Sequence, residues 1–306
     1  MKRYLGIDLG GTKIAMGLYG EDKGLLIKTK FPTFKTDSAE EFAALLTEEI
    51  KKFTSDSLTA IGIGIPGIAK DGKVINLPNI PILNGYPLSA KLKENFGCEV
   101  YTDNDANLAA LSQYRHLGLT GNMVYITVST GIGAGIIING NIFSGDNGAA
   151  GEAGHMLTGR GGFRCNCGNE GCYEISASGG NLYLRIGKAV SEGTKGMLAD
   201  IYREKGTADG KAVKYCFEKG DEFALKILED TGKDIAQLCY NIYILLNITT
   251  FCIGGGLTAW GDPFFESIER NFNKLNKMIP GKVTFIKAAD SDDAGIDGAV
   301  SIAFQK

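Results

Sequence analysis

Gly6-Ile7-Asp8-Leu9-Gly10-Gly11-Thr12-Lys13 closes an apolar run on an acid, turns on two glycines, and opens a second apolar run from Lys13 to Tyr19. The pair predicts a β-hairpin around Gly10-Gly11. Backbone N–H groups in such a turn can cradle phosphate oxygens, and an acid at the strand end can hold Mg²⁺ through water. A strand follows the glycines, not a helix, so the stretch is neither a Walker loop nor a dinucleotide fingerprint. By itself it also fits an ordinary hairpin.

The same grammar returns at Ser129-Thr130-Gly131-Ile132-Gly133-Ala134-Gly135, roughly 120 residues on, between strands expected at Met123 to Val128 and Gly135 to Ile138. Around these turns the patterns predict further strands at Gly24 to Phe31, Ala60 to Ile65, Glu99 to Thr102, Thr250 to Ile253 and Val283 to Ile286. Helices are expected at Ser38 to Phe53, where Ser38 and Glu41 suit a capping box, and at Ser89 to Phe96 and Ala106 to Arg115. Others are expected through much of Asn181 to Leu246, at Pro263 to Leu275 and at Gly295 to Phe304. Asn76 to Pro87 reads as a loop. Two similar α/β halves with a cleft between them follow. The expected division is residues 1–118 and 119–294, with a terminal helix at about 295–306 packing on the first and a metal loop at 155–172 in the second.

With 306 residues the chain is long enough for two substantial cores, and 44% hydrophobic with 22% charged residues is a globular composition. A net charge of -3 argues against nucleic acid as partner. Met1-Lys2-Arg3 is not followed by the apolar stretch of a signal peptide, and no apolar run approaches the roughly 18 to 20 residues that span a bilayer. A cytoplasmic location is expected, and there a tight cysteine cluster reads as metal ligands.

His155, Cys165, Cys167 and Cys172 form such a cluster, one imidazole and three thiols in a glycine-rich stretch. They fit tetrahedral Zn²⁺ with Zn–S near about 2.3 Å, and a closed set of four protein ligands is structural, not catalytic. Cys98, Cys216, Cys239 and Cys252 fall in apolar or helical patterns and read as core. Glu152 and Glu174 flank the cluster. Either is a solvated acid or a partner of His155 in hydroxyl recognition, with His155 binding metal through one ring nitrogen and facing substrate with the other. In Asp103-Asn104-Asp105-Ala106-Asn107, Asp103 suits an N-cap, Asn104 suits sugar orientation, and Asp105 is equally a cap or a general base. His116 at a helix end reads as a surface or dipole partner.

Together these pieces resemble the ROK family of bacterial sugar kinases and related repressors, which has the duplicated actin-like ATPase (ribonuclease H-like) fold. The matching motifs run in family order: Gly6 to Lys13, Gly64-Ile65-Pro66-Gly67, Pro78-Asn79, Asn104 to Asn107, Ser129 to Gly135, Gly151 to His155, Cys165 to Glu174 and Gly254-Gly255-Gly256. The resemblance implies ATP and Mg²⁺ as cofactors and a structural Zn²⁺. It implies that Asp8 organises Mg²⁺, that Gly10, Gly11, Thr12 and Lys13 lie near the phosphates with Thr130, Gly131 and Gly133 facing them, and that Gly254, Gly255 and Gly256 pass the adenosine. Asp105 is then the base, and Asn79, Asn104, Glu152, His155 and Glu174 hold sugar hydroxyls with help from the Gly67 backbone. Homodimers or homotetramers are common in the family.

Two departures stand out: Ala153 where the family often has a bulkier apolar residue, and Ser112-Gln113 where it often has Gly-Glu. The first adjoins the sugar pocket and blurs substrate identity. The expected reaction is γ-phosphoryl transfer from ATP to a hexose hydroxyl, first the 6-OH of glucose, with N-acetylmannosamine, allose, fructose and mannose as alternatives. A non-catalytic sugar-responsive repressor is disfavoured, because a phosphate turn beginning by Gly6 leaves no room for an N-terminal helix-turn-helix. A chaperone-like ATPase is disfavoured because no residues remain for a peptide-binding domain.

Overall fold

The computed structural model describes residues 1–289 and 293–304. Its first half runs β1 (Tyr4–Leu9), β2 (Lys13–Tyr19), β3 (Leu25–Pro32), α1 (Ala39–Phe53), β4 (Ala60–Ile65), β5 (Ile68–Lys70), β6 (Lys73–Asn76), α2 (Leu88–Phe96), β7 (Glu99–Asn104) and α3 (Asp105–His116). There follow β8 (Met123–Val128), β9 (Ile132–Ile138), β10 (Asn141–Ile142), α4 (Tyr173–Ala177), α5 (Leu182–Ser191), α6 (Met197–Lys205), α7 (Gly210–Glu218), α8 (Glu222–Leu246), β11 (Thr250–Gly254), α9 (Asp262–Leu275), β12 (Thr284–Lys287) and α10 (Ala294–Ala303).

The duplication is written in the strand order. One sheet is β3-β2-β1-β4-β7 and the other β10-β9-β8-β11-β12, so each half orders its own strands third, second, first, fourth, fifth. Antiparallel pairing joins β1 to β2 and β2 to β3, and parallel pairing joins β1 to β4 and β4 to β7. The second sheet likewise pairs β9 with β10 antiparallel and β11 with β8 and β12 parallel. Every residue of the central parallel strand Ala60–Ile65 is buried, as expected where both faces of a sheet are covered. α1 begins at Ser38, whose hydroxyl accepts the Glu41 N–H at 3.2 Å, and buries Phe42, Leu46 and Ile50 in the core of Leu5, Ile7, Ile14 and Ile63. Asn76 to Pro87, expected as a loop, contains one short turn of 3₁₀ helix at Pro81–Leu83. The ribbon β5–β6 was not anticipated, although Asp71-Gly72 between two apolar segments is a hairpin signal.

Two units separate by internal packing. One comprises Met1–Gly121, Gly135–Gly151 and the C-terminal helix, the other Asn122–Ala134 and Glu152–Ala289. The expected division at residue 118 had left 135–151 in the second domain. This segment groups with the first because Gly135 lets β9 lie directly on α3: a Cβ there would stand 2.5 Å from Ala106 O and from Ala110 Cβ. Gln305 and Lys306, the end of the expected terminal helix, lie outside the described residues. α10 itself buries Ile296, Ala299 and Val300 against β1, β4 and α3. That contact is backbone on backbone, since a Cβ on Gly62 would fall 1.9 Å from Ala299 O. Among the described residues no helix is long and apolar enough to cross a membrane.

Gly62→Ala must therefore push α10 off the sheet. It is expected to lower unfolding stability by about 3 kcal/mol, measured by urea titration, the upper end of ordinary overpacking costs.

Candidate functional site

In the first unit the Gly10-Gly11 turn is pinned by the residue that follows β3: Thr33 Oγ1 donates to Gly10 O at 2.6 Å and Thr33 N to Thr12 O at 3.1 Å. Gly10 N closes the turn on Lys13 O at 3.0 Å. Thr12 and Lys13 are exposed at its tip, while Gly11 lies against Asn79, where an added Cβ would stand 2.5 Å from Asn79 Cβ. Asp8, just before the turn, faces α10 so closely that a Cβ on Gly295 would be 2.3 Å from its Oδ2. Burial raises the Asp8 carboxyl above the usual carboxylate range, opposed by the charges of Lys13 and Lys30. Lys30 reaches this place through register, Asp8 pairing with Ala15 and Ala15 with Lys30. Approach of the Lys13 ammonium depresses the Lys30 pKa. A cavity of about 380 Å³ opens here, lined by Asp8, Lys28, Lys30, Asp293 and Gly295 among others. Lys30 was missed by sequence reasoning; only its cross-strand register with Asp8 could have found it.

At the end of β7 the three polar residues divide their work. Asp103 was expected to suit the helix cap, but Asn104 is the cap: its Oδ1 accepts from Ala106 N at 2.8 Å and Asn107 N at 3.3 Å, and its Nδ2 donates to Gly67 O at 3.0 Å. Asp103 is buried behind it, with one oxygen accepting from Asn104 N and from Asn107 Nδ2. Burial raises its pKa, with both hydrogen bonds acting the other way. Asp105 is exposed at the first position of α3, with Oδ1 on the Ala106 N–H at 2.8 Å. His116 is exposed in the last turn of the same helix.

In the second unit the turn after β8 closes with Ser129 N on Gly131 O at 2.9 Å. Thr130 is exposed, and Gly131 and Gly133 are half-buried. Glu174, at the start of α4, accepts the Ile132 N–H on Oε2 at 3.2 Å. Gly254 and Gly255 end β11 against the neighbouring strand, where added Cβ atoms would meet the Tyr125 hydroxyl at 2.3 Å and Val128 O at 2.6 Å; Gly256 begins a short 3₁₀ helix.

The imidazole and three thiols come together in this unit, their donor atoms all within 4.8 Å of one another. Cys167 Sγ and Cys172 Sγ are 3.5 Å apart, and Cys165 Sγ is 3.7 Å from His155 Nδ1. A disulfide needs about 2.05 Å, whereas ligands around a tetrahedral Zn²⁺ lie about 3.5–3.8 Å from each other, so the set fits zinc. The chain forms it through a clip in which Leu157 bridges Cys172, Thr158 N donates to Gly171 O and Tyr173 N to Met156 O. The Asn169 backbone N–H lowers the Cys167 thiol to about 7, while burial pushes Cys172 up to about 12. His155 Nε2 faces away from the sulfurs toward Glu152 Oε2 at 3.9 Å. Cys98, Cys216, Cys239 and Cys252 are buried elsewhere.

One further anchor escaped the sequence. Asp234 of α8, 2% exposed, pairs with both Arg160 and Arg185, and Arg185 also donates to Ser176 O in α4. The aspartate holds the loop after His155 and the helix that carries Glu174 to one long helix. Both arginines lie outside any recognisable motif, so only folding reveals the triad.

Paired glycine turns, an acid at a strand end and a repeated α/β sheet define the actin-like ATPase class. A family model described as "ROK family" matches residues 4–306, and the chain belongs to that family. It is 33% identical to a glucokinase of Halalkalibacterium halodurans over 308 residues, covering 96% of this chain and 93% of the relative. It is 29% identical to an N-acetylmannosamine kinase of Escherichia coli O6:H1 over 304 residues, covering 96% of each. A ROK family glucokinase from Streptomyces griseus, solved with glucose and AMPPNP, superposes with a TM-score of 0.77 at 29% identity, covering 99% of this chain and 100% of that one. These relatives are sugar kinases.

Asp103 supplies a pH test. Its folded pKa lies above the unfolded value, so its contribution to stability is full below about pH 3.8 and is lost as pH rises through the folded pKa. Asp103→Asn keeps the oxygen that both donors use and removes the ionisation. The variant is expected to melt above wild type at pH 7, the gap closing below about pH 4, by calorimetry across pH.

Proposed function

We propose that the chain is an ATP-dependent hexose kinase that transfers the γ-phosphoryl group to a sugar hydroxyl, first the 6-OH of glucose. The observation that carries the reading is Asp105, an exposed carboxylate fixed at the first turn of α3 beside an Asn104 cap tied to Gly67. A base in this place needs a rigid mount, and hydrogen bonds at a helix start supply one. Family membership and similarity to a glucokinase over nearly the whole chain support the same reaction.

In the proposed step Asp105 accepts the hydroxyl proton while the sugar oxygen bonds to the γ-phosphorus. The bond from that phosphorus to the bridging oxygen breaks, and ADP leaves with the electron pair. Gly10, Gly11, Thr12 and Lys13 from one turn, and Thr130, Gly131 and Gly133 from the other, orient the phosphates through backbone N–H groups and the Lys13 ammonium. Asp8 would hold Mg²⁺, which when bound neutralises phosphate charge. Gly254, Gly255 and Gly256 would pass beside the adenosine. Gly67, Asn79, Asn104, Glu152, His155 and Glu174 recognise the sugar. His155, Cys165, Cys167 and Cys172 would hold a structural zinc, and His155, anchored through Nδ1, would turn Nε2 with Glu152 toward the sugar hydroxyls. N-acetylmannosamine is the second acceptor to consider, because relatives of both names match the chain at similar identity.

Asp105→Asn is expected to lower kcat by about a thousandfold or more while sugar affinity, by calorimetry, stays within a few-fold. Unchanged kcat would take Asp105 out of the base role. ADP release should require sugar, and kcat/KM across glucose, N-acetylmannosamine, allose, fructose and mannose should peak at glucose. Elemental analysis should find about one zinc per chain. Cys167→Ser should lower the melting temperature and activity together; a fully active protein without zinc would overturn that assignment.

A further inference from the structure

Glu174 touches more than a sugar ligand needs to. Its Oε2 accepts the Ile132 N–H at 3.2 Å, and a Cβ on Gly131 would stand 2.6 Å from that same oxygen. Gly131 and Ile132 belong to the phosphate turn, whereas Glu174 stands two residues beyond the zinc ligand Cys172. The contact is one of several. Gly179 N donates to Ser129 O at 2.7 Å and Gly180 N to Thr130 O at 3.2 Å. Gly154, next to His155, lies so close that a Cβ would be 2.1 Å from Ile132 O. Three carbonyls and one N–H of the turn are thus met by residues that bracket the sugar-recognition segment.

We infer that Glu174 is a positioning residue for the nucleotide turn as well as a sugar ligand, so that one carboxylate fixes the backbone that cradles phosphate and presents its remaining valences to a hydroxyl. This rests on the kinase reading above and adds a second function to one of its residues. The chemistry is direct. A carboxylate accepting the Ile132 N–H restrains the Gly131–Ile132 peptide plane, and the absence of a side chain at Gly131 lets it come close enough. Removing the acceptor frees the turn even when no sugar is present. The first unit shows the parallel arrangement, with the turn glycine Gly11 packed on Asn79, another proposed sugar ligand. In each half, the turn proposed for phosphate rests on a side chain proposed for sugar.

The test is binding of a non-hydrolysable ATP analogue with Mg²⁺ in the absence of sugar, by calorimetry on the full chain, with kcat and KM for both substrates alongside. Glu174→Ala is expected to weaken analogue binding about five- to tenfold, the size of one ordinary lost hydrogen bond, and to raise the sugar KM. Glu174→Gln keeps an oxygen for the Ile132 N–H, so analogue affinity should stay within about twofold of wild type while sugar KM still rises. That split separates turn positioning from general structural damage. Gly131→Ala is the reciprocal variant and answers the question if Glu174→Ala does not fold. Its methyl must displace the carboxylate, so sugar KM should rise at least threefold although no proposed sugar ligand has been changed.

The inference is overturned if Glu174→Ala binds the analogue like wild type, if the Gln and Ala variants weaken it equally, or if Gly131→Ala leaves sugar KM unmoved. Wild-type protein that binds the analogue yet phosphorylates no hexose sinks the kinase reading instead, and wild-type protein that binds no nucleotide sinks both.

Discussion

Close approach of backbone to its neighbours, possible only at glycine, is the constraint on which this fold depends. A Cβ at Gly62 would strike the carbonyl of Ala299, one at Gly154 the carbonyl of Ile132, and one at Gly295 the carboxylate of Asp8. Each contact brings a helix or loop closer to a strand or turn than any other residue permits. The 43 glycines therefore report more than turns. α10 can reach the buried strands of its unit and present its first turn to Asp8 only because the intervening side chains are missing.

Close approach also explains how exposed turns stay ordered. The Gly10-Gly11 turn is tied from outside by Thr33 and backed by Asn79. The turn at Ser129 to Gly131 is tied by Gly179, Gly180 and Glu174. In both cases groups outside the hairpin hold it in place, which would reduce the ordering cost of binding at the turns proposed for phosphate. The Cys and His cluster and the buried Asp234 act one layer further out. The first clips the segment from His155 to Cys172, and the second links that segment and α4 to α8 through two arginines. Breaking a buried pair of this kind costs far more than a surface one, because it strands a desolvated charge.

Much of the architecture was legible because it is local. Helical spacing of Phe42, Leu46 and Ile50 follows from a period near 3.6, and Ser38 before Glu41 marks where α1 begins. The ribbon of β5 and β6 was passed over because its strands are three and four residues long, too short for a period to register, although Asp71-Gly72 carried the turn signal. Assignment of the cap to Asp103 failed for a different reason. Asp and Asn cap helices about equally well, and the choice fell to Asn104 because β7 runs two pairings further than expected, through Asp103 to Asn104, which buries Asp103.

By itself the sequence determined most strands and helices of the two sheets, the two glycine turns, the four metal-ligand candidates and the acids worth testing. All depend on residue types at short separations. Tertiary structure alone decided which of them meet: Lys30 beside Asp8 through sheet register, Asn79 on Gly11, Glu174 on Gly131, and Asp234 between two arginines drawn from distant elements. Such meetings depend on how whole sheets and helices stack, and the energy of that stacking is spread over contacts that no short window of sequence contains.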